Sequence, residues 1–205
     1  MKNIKLAALI LAAGFLLNGC GASSKGGFQP AENSIYVASD GSVSTATIET
    51  VQGEQYTEEA LLAFAEQAVA AFNEEKGSSA RARNEEGQEK LPAAVQSCTI
   101  TEGKAVMILD YADPQYAVEF SEEHGTPVTA LTVSPVSGGL PELKKPDGSG
   151  ADREEAAKSG GVMVQTEGAV TLQTEGTILY ITDGVTVVDE RTVRTPKSAS
   201  AVIFK

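Results

Sequence analysis

Residues 94–120 read AVQSCTITEGKAVMILDYADPQYAVEF, and this stretch decides the fold. Ala94–Thr101 and Lys104–Tyr111 are β-rich runs on either side of the turn dipeptide Glu102-Gly103, a pattern that predicts a hairpin. In the second run Val106, Ile108 and Asp110 alternate with Ala105, Met107, Leu109 and Tyr111. Apolar residues on both faces place this strand inside a sheet rather than at its surface. Asp113 then offers an N-cap, and Pro114 sits at the first helical position, where its missing N–H costs nothing. Tyr116, Ala117 and Phe120 can face a core, and Gly125 stops the helix.

The same order occurs upstream. Ser34–Ala38 and Ser42–Glu49 are β-rich runs around the turn Ser39-Asp40-Gly41. Thr57 is a good N-cap, with Tyr56 before it placed to staple onto Leu61. Leu61, Ala65, Ala68 and Phe72 recur at helical spacing, joined by Leu62 and Val69, while Glu58, Glu59, Glu66, Glu74 and Glu75 take other positions. Gly77 ends the run, which predicts an amphipathic helix over about 58–76. Two ββα units therefore point to an α+β fold, an antiparallel sheet with two helices on one face.

The tail has another texture. Thr166-Glu167-Gly168, Thr174-Glu175-Gly176 and Thr182-Asp183-Gly184 repeat every eight residues. Between them Ala169–Gln173, Thr177–Ile181 and Val185–Val188 read as short strands, a C-terminal β-meander whose glycines can take positive φ. Ser200–Phe204 is a further strand expected to return to the sheet, since unpaired it would leave an apolar edge. Residues 77–92 and 137–160 are polar insertions. The second is expected to be a mobile loop with at most one helical turn, at Ala151–Lys158.

The first twenty residues carry an address. Lys2 and Lys5 precede an apolar run, Leu6–Leu17, too short for the ~20 residues that span a bilayer but suited to the core of a secretory signal. Leu17-Asn18-Gly19-Cys20 closes it and resembles the lipobox of bacterial lipoproteins. The resemblance implies a signal peptide over 1–19 and lipidation of Cys20 as the mature N-terminus. The diacylglyceryl anchor then holds the protein on the extracytoplasmic face of the cell membrane. Residues 20–33, rich in Gly and Ser, are expected to be a flexible tether, leaving 34–205 as one domain.

Cleavage before Cys20 removes two lysines and no acid, so the net charge goes from −12 to −14. So acidic a body is repelled by nucleic acid and by anionic headgroups, and its contact with the membrane falls to the lipid anchor. Aromatic residues make up 5% of the chain and Trp is absent, which weakens a sugar-stacking reading. Lipidation of Cys20 leaves Cys98 without a partner, so the fold does not depend on a disulfide.

Catalytic signals are sparse. Cys98 and His124 are the sole candidates for a nucleophile and base, yet Cys98 sits within a β run and His124 at a helix C-terminus, where structural roles suffice. The carboxylate pairs, such as Glu58-Glu59 and Glu122-Glu123, are sequence neighbours that do not face each other on a helix. One acid per turn in the tail falls short of a calcium loop, as does Asp147-Gly148-Ser149-Gly150, and a single histidine cannot build a multi-histidine zinc site. No catalytic, cofactor or metal residue is therefore assigned.

Ser34-Ile35-Tyr36-Val37, Asp40-Gly41-Ser42-Val43, the acidic helix after Tyr56, Leu109-Asp110-Tyr111 and Thr177–Ile181, within about half of the chain, resemble an uncharacterised family of small clostridial surface lipoproteins. The resemblance implies an anchored extracytoplasmic protein and brings no mechanism. The expected function is a non-enzymatic binding or scaffolding module at the cell envelope, its partner an envelope or extracellular protein. The alternative is a small cell-envelope hydrolase using carboxylates from separate strands.

Overall fold

The structure, a computed structural model, describes residues 28, 30–53, 56–124 and 129–205; the side chains of Glu123 and His124 are outside that description. Strands β1 (Ser34–Val37) and β2 (Val43–Thr50) precede helix α1 (Glu58–Glu75), and β3 (Ala93–Thr101) and β4 (Lys104–Tyr111) precede α2 (Pro114–His124). Then come β5 (Ala130–Pro135), the short helix α3 (Arg153–Ala157), β6 (Val162–Glu167), β7 (Thr171–Thr174), β8 (Ile178–Ile181), β9 (Thr186–Val187), β10 (Thr192–Arg194) and β11 (Ser200–Phe204). The expected signal segment 1–19, Cys20 and most of the 20–33 tether lie outside the described residues.

Local chemistry sets the first four strands and two helices. Glu102 (φ 52°) and Gly103 (φ 73°) both adopt positive φ, as a two-residue type I′ hairpin turn requires, and this registers Thr101 opposite Lys104. Thr57 caps α1, its hydroxyl accepting from the Ala60 N–H at 3.2 Å, and Asp113 caps α2 by accepting from the Gln115 N–H at 2.8 Å. The two hairpins join through β2 and β4, which pair antiparallel from Val43↔Tyr111 to Thr50↔Lys104.

The fold is α+β and mainly antiparallel, with its strands divided between two sheets. One runs β3-β4-β2-β1-β7-β10-β9 and the other β5-β6-β11-β8. The tail supplies its run of short strands but deals them alternately: β6 and β8 flank β11, while β7 pairs parallel with β1 in the larger sheet. The reason is burial. A strand such as β11, buried along its whole length, needs partners on both edges and covers on both faces, and a second sheet provides them. Gly168 and Gly184 do take positive φ at their turns. Gly176 has a different necessity, because a Cβ there would lie 2.4 Å from the Lys205 carbonyl group.

Alternation along the strands separates two faces of the larger sheet. On one face Val37, Val43, Val95, Leu109 and Tyr111 meet Ala65, Val69 and Phe72 of α1 and Ala117, Val118 and Phe120 of α2. Phe72 packs edge-to-face on Tyr116 and Phe120, with centroids 6.2 and 5.3 Å apart. The same core continues under the smaller sheet through Val164, Ile181, Val202 and Phe204. On the opposite face Phe28 stacks on Tyr36 over Ala38, Ala46 and Ile108.

Two sequence expectations are corrected by packing. The 137–160 insertion is not a loose loop: Leu140, Leu143 and Ala156 are buried against Tyr180 and Ile203 on the outer face of the smaller sheet, and Lys144 bridges Ile181. Its few apolar residues are spread among Gly and Pro, so no period announced them. The segment expected to be a tether over 20–33 is docked in its second half, because Phe28 is buried and Glu32 holds Arg194 at 2.8 Å and the Thr171 hydroxyl at 2.8 Å.

The outer edge of β3 is closed by side chains of α1 and a loop carbonyl rather than by another strand. Asn73, fully buried on α1, accepts from the Ala93 N–H and donates to the Ala93 and Arg81 carbonyls. The Val95 N–H donates to the Ala82 carbonyl, and the Ile100 N–H donates to the Glu58 carboxylate. An edge so occupied cannot template another chain at those points.

Candidate functional site

Beyond the reach of the core, α1 and the sheet diverge and leave an apolar groove. Its floor comes from β2, β3 and β4 through Thr47, Ile100, Ala105 and Met107, and its wall from Ala60 and Leu61 of α1. The cavity is about 370 Å³, at the smaller end of ligand-binding clefts, commonly ~300–1,000 Å³. Tyr56 and Phe64 stand on its rim with 51% and 60% of their surface exposed. A soluble surface tolerates single exposed apolar residues, but two large rings beside an apolar cleft make a contiguous patch of the kind that marks interaction sites.

Local sequence explains the exposure. The apolar stripe that binds α1 to the sheet runs through Ala65, Val69 and Phe72, and Phe64 lies beside it, turned toward the groove. Tyr56, preceding the N-cap, was expected to staple onto Leu61, and both residues line the groove. Sequence reasoning missed the site as such. Its signal was a phenylalanine off the stripe in a chain poor in aromatics.

The residues singled out for chemistry do not assemble here. Cys98 faces α1 on β3, half-buried, and burial pushes its thiol up from the ordinary value of 9.0, an effect that Arg83 opposes and Glu66 supports. A thiol held in its neutral form is a poor nucleophile. The side chain of His124 and the whole of Cys20 lie outside the described residues. Among the described residues that line the groove, only Glu49 is acidic.

The acidic turns of the tail point to different partners. The Glu175 carboxylate accepts from the Ser39 N–H at 2.8 Å and from its hydroxyl. Asp183 pairs with Lys144 at 2.9 Å, and this partner holds its carboxyl below the ordinary range. Asp147 closes its own turn by accepting from the Ser149 hydroxyl and N–H. Among the described residues no three His, Cys, Asp or Glu side chains converge as metal ligands. No described helix is long and apolar enough to cross a membrane. No known protein family, curated protein or solved structure matches this chain.

Proposed function

We propose that this protein is a lipid-anchored module on the extracytoplasmic face of the cell membrane, held there through Cys20, which binds or scaffolds a partner without catalysis. The observation that carries the reading is the open apolar groove with Phe64 and Tyr56 on its rim. It offers apolar burial, the main source of binding energy, and, among its described lining residues, a single carboxylate rather than a convergent set of reactive groups.

Orientation supports the same reading. Tyr36 pairs with Ser44 and Ser44 with Asp110, on the face where Phe28 docks. Thr47, Ala105 and Met107 lie on the other face. The chain therefore enters the domain on one side of the sheet and the groove opens on the other. The segment that leads to Cys20 thus leaves the groove uncovered for a partner.

A photo-crosslinking residue at position 64, tested on intact cells beside the same residue at Glu86, examines this function. A discrete adduct from position 64 and none from position 86 is expected. Equal labelling from both positions, or none, counts against a binding groove. So does turnover of ester, peptide or glycoside substrates that is lost on changing Glu49.

A further inference from the structure

Resting on the reading of the groove as a binding surface, we infer that its occupant is a cationic amphipathic helix: a protein segment that sets apolar side chains into the groove and places Lys or Arg over its rim. Three features choose this partner.

The first is charge. Glu49 lines the groove, and Glu102 tops the β3–β4 turn, which is tied to the groove residue Val51 through the Val51 N–H and the Gly103 carbonyl. Neither acid forms an ion pair among the described residues. Lys104 is the nearby basic residue on the same hairpin. An apolar floor with Glu49 in its lining and Glu102 on the adjoining turn, on a body of charge −14 after cleavage, attracts cations and steers them in.

The second is backbone bonding. An extended peptide would add to a free strand edge, but at β3 beside the groove the Ile100 N–H is already taken by Glu58. Binding must then run through side chains, as when an amphipathic helix lies in a groove. Met107 on the floor adapts to varied apolar shapes.

The third is the poor fit of other occupants. Residues 21–27 of the chain itself, GASSKGG, hold no large apolar side chain. A second copy seated groove to groove would oppose Glu49 and Glu102 with the same acids. An anionic bilayer meets the same repulsion, on the face turned away from the tether.

The test uses the lipidated protein in neutral phosphatidylcholine nanodiscs, with empty discs as the blank. Fluorescence anisotropy is read with three labelled probes: an amphipathic leucine–lysine helix, its leucine–glutamate counterpart, and a lysine–glutamine peptide of the same charge without an apolar face. The leucine–lysine probe is expected to bind at least about tenfold tighter than the other two. Phe64→Ala should weaken it about tenfold, as truncating an interface aromatic does. Glu49→Gln with Glu102→Gln should weaken it severalfold and flatten its salt dependence. The pair Glu154→Gln and Glu155→Gln, on α3, should change it by less than about twofold. Equal binding of the leucine–glutamate probe overturns the cationic partner and leaves the groove reading standing. Indifference of every probe to Phe64→Ala overturns both. A dimer in sedimentation that Phe64→Ala dissolves overturns the helix in favour of a second copy.

Discussion

Phe28 stacks on Tyr36 with ring centroids 5.2 Å apart and planes inclined by 28°. The contact fixes where the chain meets the sheet. It leaves seven residues between Cys20 and Phe28, so fully extended chain carries the docking point at most about 28 Å from Cys20. Phe28 covers Tyr36, Ala38, Ala46 and Ile108, side chains that would otherwise face water.

Phe28→Ala should release this strap without unfolding the domain. An aromatic pair contributes about 0.5–1.5 kcal/mol and burial of the ring about 1.5–3 kcal/mol more. Proteolysis before Ser34 is expected to quicken by at least about tenfold, while far-UV circular dichroism stays unchanged. An unaltered cleavage rate would show that Phe28 is not what holds the segment.

Acid should loosen the same strap. The Arg194 and Thr171 hydrogen bonds hold the Glu32 carboxyl below its ordinary value of 4.5. A carboxyl lowered on folding adds stability above its ordinary value and loses it as pH falls through the lowered one. The urea midpoint of wild type should therefore exceed that of Glu32→Gln at neutral pH, by the small margin typical of an exposed ion pair, and converge with it in acid. A difference constant from neutral pH down into strong acid would refute the linkage.

Asn73→Ala should be among the most damaging single changes. It strips partners from the Ala93 N–H and carbonyl and from the Arg81 carbonyl. Each buried group left unpaired costs about 1–3 kcal/mol. A loss of roughly 3 kcal/mol or more in denaturant unfolding is expected, with raised hydrogen exchange at Ala93 and Val95. A loss below about 1 kcal/mol would mean that water replaces the amide.

The Cys98 thiol should react slowly. Burial raises its pKa, so at neutral pH it should modify more slowly with Ellman's reagent than an unfolded cysteine, and reach the free rate in denaturant. Fast labelling of the native protein would reopen a nucleophilic role.

Legibility followed periodicity. The Glu102-Gly103 turn, the Thr57 and Asp113 caps and the stripe of α1 are local patterns, and their elements fall within a residue or two of expectation. Strands β5, β6 and β10 escaped, being set by distant partners, and Thr166 and Glu167, read as a turn, end β6. So did the alternate sharing of the tail between two sheets, because spacing reveals strands and turns but not which sheet a strand joins. The 137–160 segment looked loose because Leu140, Leu143 and Ala156 follow no period. Asn73 carried no sequence signal of its role, because its partners Ala93 and Arg81 meet it only in the fold, where it is buried and closes the edge of β3. The groove lay hidden for a similar reason: Phe64 and Met107 are 43 positions apart in sequence and meet only once α1 lies on β4.

Intact-mass spectrometry of the protein extracted from its own membranes tests the anchored reading most directly. The expected species begins at Cys20 and carries a diacylglyceryl group on that sulfur, and Cys20→Ala abolishes the lipid adduct. A chain that retains residues 1–19, or begins at Cys20 without lipid, would contradict it.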